Sequence, residues 1–81
     1  MSRNLAPIVK VSALNSFTAN QRVCAQDVEA HPVQHYTGKI TSVWSDGTAF
    51  VNWDFQLNFE AERHLVRNGR VELHLLTRIP S

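Results

Sequence analysis

The stretch that decides the fold spans residues 36–53, "YTGKITSVWSDGTAFVNW". Two runs rich in β-branched and aromatic residues flank the dipeptide Asp46-Gly47. Asp-Gly in this setting is a strong hairpin signal, because a type I′ turn needs positive φ at both central residues. The stretch therefore predicts an antiparallel hairpin closed by a two-residue loop.

The register of this hairpin predicts which side chains are buried. A two-residue loop pairs Trp44 with Ala49 and Val43 with Phe50, and directly opposed residues point to the same face. The other face keeps Val43 and Phe50, which calls for a bulge that turns Val43 inward, or for a cover from the N-terminal arm or a second subunit. The face expected to form the core carries Ile40, Trp44, Ala49, Val51 and Trp53.

A second hairpin is predicted around Asn68-Gly69, another dipeptide typical of type I′ turns. Residues 55–61, "FQLNFEA", alternate between apolar and polar side chains, as a half-buried strand does. This register pairs Val66 with Val71 and continues into a last strand, "VELHLL". No stretch of useful length shows a helical period.

The first part of the chain predicts one strand and an arm. Residues 21–28, "QRVCAQDV", read as a strand whose inward side carries Val23, Ala25 and Asp27. A loop over residues 29–35 follows. Residues 1–20 form an N-terminal arm in which residues 8–12, "IVKVS", can add a strand within the chain or across a dimer, and Phe17 is a candidate core anchor.

Composition narrows the class of protein. The chain has 81 residues and a net charge of +1, which fits one small domain without the strong basic charge common in DNA-binding proteins. Cys24 is the single cysteine, so an internal disulfide is excluded and a reducing cytoplasm is expected. No apolar run approaches the ~20 residues of a membrane span. We therefore expect a cytoplasmic protein.

The four histidines do not predict a metal site. His31 and His35 flank Pro32 in a loop, and the proline disfavours the helix that would put both on one face. His64 and His74 face opposite sides in the predicted hairpin. No phosphate-binding glycine loop or nucleophile elbow is present either. The sequence thus predicts neither a metal nor a cofactor.

Taken together, the runs and turns predict an all-β domain: a small five- to six-stranded SH3-like barrel over residues 21–81, which leaves no long unpaired edge. The segment "RVCAQ…HYTGKITSV…GTAFVNWD" resembles a Tudor-like domain. The resemblance covers residues 22–54 well and residues 70–79 loosely. The matching residues are Val23, Tyr36, Gly38, Ile40, Val43, Val51, Trp53 and Asp54.

The Tudor resemblance implies an aromatic cage for a methylated lysine or arginine. By position Tyr36 and Trp53 would be walls, with Phe55 or Phe59 as a third, and Asp54 would sit at the rim. The aromatic residue of the family's first strand is replaced here by Asp27. The alternative from the residues alone is that Trp53 packs into the core.

The chain also resembles the plasmid-borne type II dihydrofolate reductases, which are SH3-like barrels of similar length. The residues that carry this resemblance are Tyr36, Gly38, Ile40, Trp44 and the segment Val71 to His74. In that family four copies build one central pore. Glu72 and His74 stand where the family has glutamine and tyrosine, and a glutamate ring would repel anionic folate and NADPH.

Single-stranded nucleic acid is a further candidate, because small barrels can bind it with exposed aromatic side chains among basic residues. The sequence therefore predicts a non-enzymatic binding or adaptor module for a protein or nucleic-acid partner. A homo-oligomeric reductase with a pocket between subunits is the alternative. The predicted ligand-binding residues are Tyr36, Phe50, Trp53, Asp54, Phe55, Arg63 and Arg70.

Overall fold

The computed structural model describes residues 7–80, which contain eight strands and one α-helix. Helix α1 (Phe59–Leu65) follows the sixth strand, and a 3₁₀ helix (Leu73–Leu75) joins the seventh to the eighth. The protein is thus mostly β, as the sequence predicted. The strands are β1 (Lys10–Val11), β2 (Ala13–Leu14), β3 (Phe17–Thr18), β4 (Arg22–Asp27), β5 (Gln34–Trp44), β6 (Thr48–Trp53), β7 (Val71–Glu72) and β8 (Leu76–Arg78).

Six strands form one antiparallel sheet that curls into a half-barrel, in the order β7-β6-β5-β4-β8, with β1 paired to β5. The long strand β5 is central: along one edge it pairs first with β4 and then with β1, and along the other it pairs with β6. Lys10 lies opposite Trp44 and Val11 opposite Val43. The N-terminal arm therefore adds its strand within the chain. Residues 1–6 of the predicted arm lie outside the described residues.

The first hairpin forms, but the predicted register is wrong by one residue. Trp44 pairs with Thr48, so that the loop holds three residues, and of these Gly47 alone has positive φ, at 84°. The amide N–H of Thr48 donates to Oδ1 of Asp46 at 3.2 Å. After two-residue loops, a three-residue loop with glycine in the left-handed position is the next most common hairpin connection. Compared with the predicted two-residue loop, it moves every side chain of one strand by one position.

A bulge between Ile40 and Ser42 shifts the register again, so that Ile40 points to the inner face as Val43 does. Ile40 and Val43 are both buried, at 0% and 1% exposure. Of the explanations that the sequence left open for Val43, the structure thus shows the bulge. Trp44, the neighbour of Val43 in the strand, points to the outer face. The prediction that Trp44 and Trp53 share the core face is therefore wrong, because Trp53 pairs with buried Gly38 and packs against the core.

The second predicted hairpin is wrong except for its turn. Asn68 and Gly69 have φ of 54° and 80°, as a type I′ turn requires. Arg67 pairs with Arg70 across this turn. The residues before the turn form α1 instead of a strand, and β7 pairs with β6.

Helical spacing of apolar side chains explains why this segment is not a strand. Leu57, Ala61 and Leu65 are buried and lie four residues apart. Residues at this spacing share one face of a helix. A helix buries these three and leaves Phe59 and Arg63 exposed, as the structure has them. A strand would place all five side chains on one face.

The core lies between the inner face of the sheet and the buried face of α1. Phe17 is a core anchor as predicted, and it pairs with Leu14 in a small second sheet after a tight turn at Asn15-Ser16, where both residues have positive φ. Across residues 7–80 no helix is long and apolar enough to cross a membrane. The core consists of Phe17, Val23, Ala25, Ile40, Val43, Ala49, Leu57, Ala61, Leu65, Val71, Leu73 and Leu76.

Candidate functional site

An aromatic pair with an arginine stacked on it lies on the outer face of the hairpin. The rings of Trp44 and Phe50 meet edge to face, with centroids 6.0 Å apart and planes at 72°. The Arg70 guanidinium carbon lies 5.6 Å from the Trp44 ring centroid. This separation is within the range of a cation–π contact. The indole N–H of Trp44 donates to Oγ of Ser42 at 2.9 Å, which fixes the ring on the sheet.

A second arginine–aromatic stack lies on the exposed side of α1. Phe59 is the first residue of the helix and is 74% exposed. The Arg63 guanidinium carbon lies 5.8 Å from the centroid of its ring. These residues are four apart in a helix, and this spacing brings their side chains together. Arg63 also lies 3.6 Å from a carboxylate oxygen of Glu60, but an exposed pair of this kind has small energetic weight.

A shallow groove of about 290 Å³ runs from the Phe59–Arg63 stack to the Asn68-Gly69 turn. Phe50 borders it at the turn, because a Cβ built on Gly69 would stand 3.2 Å from Cε1 of Phe50. The lining residues are Phe59, Glu62, Arg63, Val66, Asn68 and Gly69. We call Trp44, Phe50, Phe59, Arg63, Arg70 and this groove the aromatic–arginine surface.

The chemistry of the aromatic–arginine surface is stacking combined with positive charge. Phe59 and Phe50 leave 74% and 37% of their surfaces exposed. Exposed apolar patches that are rimmed by polar residues mark interaction sites. Each guanidinium lies over a ring, so its charge is held beside an apolar face. Such a surface suits a flat, anionic or polar-edged ligand.

Two of the other predicted site residues lie on the opposite, inner face of the sheet. Tyr36 pairs with buried Ala25, and both Tyr36 and Trp53 are half-buried against the core. The side-chain amide of Asn58 donates to the Tyr36 hydroxyl at 3.0 Å. The structure therefore brings Tyr36 and Trp53 to a common face but separates them from the aromatic–arginine surface.

Asp54 is held by partners within the protein. Its carboxylate accepts hydrogen bonds from both terminal nitrogens of Arg22, at 2.7 and 2.6 Å, and from the Thr37 hydroxyl at 2.6 Å. The hydrogen bonds from Arg22, and next the one from Thr37, hold the pKa of Asp54 well below its usual range. Its negative charge is thus balanced locally. Phe55, the next residue, is 82% exposed.

The sequence did not predict the ion pair between Asp27 and His64. Asp27 ends β4 with only 2% exposure, and its two carboxylate oxygens lie 2.9 and 3.0 Å from Nδ1 of His64 on α1. The backbone N–H of Glu29 donates to the same carboxylate at 3.2 Å. The hydrogen bond to Asp27 is the main cause that raises the pKa of His64, and burial opposes it.

A signal for this pair was present in the sequence. Asp27 was predicted on the same side as Val23 and Ala25, and a carboxylate on a buried face needs a partner. The partner could not be identified, because the helix that carries His64 was predicted as a strand. Within residues 7–80 no three histidine, cysteine or acidic side chains gather in an arrangement that could hold a metal ion.

Comparison with known proteins adds no relative from which a role could be transferred. No family model matches the sequence, and neither the curated proteins nor the solved structures give a match. The function must therefore be inferred from the residues and contacts of the chain itself.

Proposed function

We propose that the half-barrel is an SH3-like barrel and that the protein is a non-enzymatic module that binds single-stranded nucleic acid. The connection between the two edge strands supports the SH3-like assignment. Strands β7 and β8 are separated in sequence by the 3₁₀ helix alone, yet they lie at opposite ends of the sheet order. A sheet whose two edges are joined by so short a connection must curl, which is how small barrels form.

The observation that carries the binding role is the pair of arginine–aromatic stacks, one of which lines the groove while the other begins at Phe50, beside the turn that closes it. Single strands are bound by aromatic rings on which successive bases stack, with positive groups that follow the backbone. Phe59 and Phe50 offer exposed rings, and the guanidinium carbons of Arg63 and Arg70 lie 5.8 and 5.6 Å from ring centroids. A double helix would not expose its base faces to these rings, and so the single-stranded form is favoured.

The modest net charge of +1 is compatible with this role. Asp27 and Asp54 have basic partners inside the protein, His64 and Arg22. Binding would then depend on a few well-placed arginines and on stacking, which gives a weak or moderate affinity and a shallow salt dependence.

The experiment is a titration of fluorescently labelled oligothymidylate with the protein, followed by anisotropy at several salt concentrations. We expect binding at low salt. The slope of log K against log salt should be about −2, since each of about three phosphate contacts contributes about −0.7 for single strands. Phe59→Ala should weaken binding about tenfold, as removal of one stacked base does. Phe55→Ala is the matched control, because Phe55 is equally exposed, at 82%, but does not line the groove.

Three outcomes would contradict the proposal. Equal binding of Phe59→Ala and the wild type would mean that the aromatic–arginine surface is not used. Absence of oligonucleotide binding, together with salt-insensitive capture of a peptide partner by the same surface, would favour a protein-binding module. Saturable binding of NADPH, accompanied by assembly into tetramers in sedimentation, would instead favour the reductase alternative.

A further inference from the structure

A second concave site lies at the end of the half-barrel, on the other side of the Asn68-Gly69 turn. It is a cleft of about 370 Å³ bounded by the loop before β6, the end of α1 and the segment around β7. Asn68 belongs to both the cleft and the groove, so the two sites share a wall. The side chains that line the cleft include Asp46, His64, Leu65, Arg67, Arg70 and Glu72.

Three basic side chains line this cleft, and each comes from a different part of the backbone. His64 projects from α1, Arg67 precedes the turn, and Arg70 follows it. Arg67 and Arg70 are held opposite each other by reciprocal backbone hydrogen bonds of 2.8 and 3.0 Å. Their backbone positions are therefore fixed, which reduces the ordering that a ligand must impose.

His64 lines the cleft, and one of its two ring nitrogens has no hydrogen bond within the described residues. Its Nδ1 is bound to buried Asp27, which leaves Nε2 as the remaining ring nitrogen. A carboxylate oxygen of Glu60 lies 3.8 Å from Nε2. This separation is beyond hydrogen-bond distance. Asp27 raises the pKa of His64, and the protonated ring has a second N–H donor at Nε2.

The two carboxylates of the cleft have partners of their own. Asp46 accepts from the backbone N–H and the hydroxyl of Thr48, at 3.2 and 2.5 Å, and lies 3.8 Å from Arg70. Glu72 lies 3.6 Å from Nε2 of His74. In contrast, Arg67 forms no ion pair with any carboxylate of residues 7–80. Of the three basic side chains of the cleft, Arg67 is thus the one without an acidic partner among the described residues.

We propose that this cleft is a phosphate-binding subsite, in which Arg67 and His64 hold a backbone phosphate of the strand whose bases stack on the aromatic–arginine surface. The proposal rests on the proposed function. Arg70 connects the two sites, since it lies over Trp44 and also lines the cleft. Planar guanidinium groups bind phosphate oxygens with two parallel hydrogen bonds, which makes arginine suited to this role.

The volume of the cleft fits a phosphate with its attached sugar better than a free phosphate ion. A cleft of about 370 Å³ is larger than one phosphate group requires, and it lies at the lower end of the range for small-ligand sites. Leu65 and Leu75 supply an apolar wall against which a sugar can pack. The cleft therefore fits a phosphate together with its sugar, one step along the chain from a stacked base.

The test compares two exposed arginines, Arg67 in the cleft and Arg78 on β8, away from both sites. Arg67→Ala should weaken oligothymidylate binding at least fivefold at low salt and reduce the slope of log K against log salt by about 0.7, the share of one phosphate. Arg78→Ala should leave both quantities unchanged. Both arginines are exposed, so neither variant should lose the fold, which circular dichroism will check.

A second readout uses inorganic pyrophosphate alone, with the ring and side-chain signals of His64 and Arg67 followed by NMR. Saturable shifts of the His64 signals in the wild type, lost in Arg67→Ala, are expected. Unchanged oligonucleotide affinity in Arg67→Ala, while Phe59→Ala is weakened, would overturn the subsite and leave the binding function intact. Pyrophosphate binding at the cleft without any oligonucleotide binding would support the anion site and overturn the proposed function.

Discussion

The carboxylate of Asp27 lies 2.9 Å from Nδ1 of His64, and this ion pair ties the end of β4 to the last turn of α1. Asp27 is the buried charged residue of the described chain, at 2% exposure. The helix is short, at seven residues, and an isolated helix of that length is not stable in water. Its position depends on packing by Leu57, Ala61 and Leu65 and on this polar contact.

The first prediction is that the free energy of unfolding decreases as the pH rises through the folded-state pKa of His64. Asp27 raises that pKa above its value in the unfolded chain, about 6.5. The stabilisation from the pair is therefore complete below about pH 6.5 and is lost as the folded imidazolium releases its proton. Urea unfolding followed by tryptophan fluorescence between about pH 6 and 8 measures this dependence.

The controls for this prediction are two histidine variants. His64→Gln should remove the slope in that pH range, whereas His74→Gln, at an exposed pair with Glu72, should retain it. The carboxylates of Glu29 and Glu60 also raise the pKa of His64, so Glu60→Gln should shift the transition slightly toward lower pH. A free energy of unfolding that increases with pH in the wild type would show that the pair is not formed in solution.

The second prediction concerns two glycines with different reasons for being glycine. A Cβ on Gly38 would lie 2.7 Å from the carbonyl oxygen of Asn52 and 2.8 Å from Val51, so the strands β5 and β6 could not keep their separation. Gly38→Ala should therefore cost about 3 kcal/mol, at the upper end of overpacking effects. Gly47 has φ of 84° but open space around it. Gly47→Ala should cost about 1 kcal/mol.

Chemical denaturation of both glycine variants under the same conditions tests the difference. The clash at Gly38 involves backbone atoms, which cannot move away as a flexible side chain would. Equal losses of stability in the two variants would mean that β5 and β6 are further apart at this point than the structure has them.

Much of the sheet could be predicted from short-range signals. Alternation and the turn dipeptide at Asp46-Gly47 located β4, β5 and β6, because strand period and turn chemistry are local properties. The loop length was not determined by the dipeptide, since Asp-Gly serves both two-residue and three-residue loops. The one extra residue in the loop decides whether Trp44 or Val43 faces the core. Val43 is the smaller side chain, and with the bulge it fits the small interior.

The helix could not be recognised from alternation, because residues 55–61 satisfy both the strand and the helix pattern over so short a length. Asn58 as an N-cap and the acidic first turn were the signals for a helix. Of the predicted site residues, Phe50, Arg63 and Arg70 were selected by residue type alone. Their arrangement on one surface depends on α1, which carries Arg63. The cation–π contact between Arg63 and Phe59 follows from the helical spacing.

The third prediction tests the helix start. Oδ1 of Asn58 accepts from the backbone N–H of Ala61 at 2.8 Å, and its Nδ2 donates to Tyr36. Asn58→Ala removes both contacts and should cost about 1 kcal/mol, the usual value of an N-cap. Asn58→Ser keeps the cap alone and should recover most of the loss, and Tyr36→Phe should cost less than Asn58→Ala. Urea unfolding compares the three variants, and no change in Asn58→Ala would indicate that α1 does not begin at this residue.

The last prediction separates the two tryptophans. Trp44 lies on the outer face beside Phe50 and Arg70, whereas Trp53 packs against the core. Trp53→Ala should therefore lower stability by about 3 kcal/mol, the lower end for removal of a large aromatic side chain that packs against a core. Trp44→Phe should leave stability nearly unchanged but abolish the fluorescence change on addition of oligothymidylate, which Trp53→Phe should preserve. The reverse assignment, with the ligand signal carried by Trp53, would return the binding site to the inner face beside Tyr36 and contradict the outer-surface site.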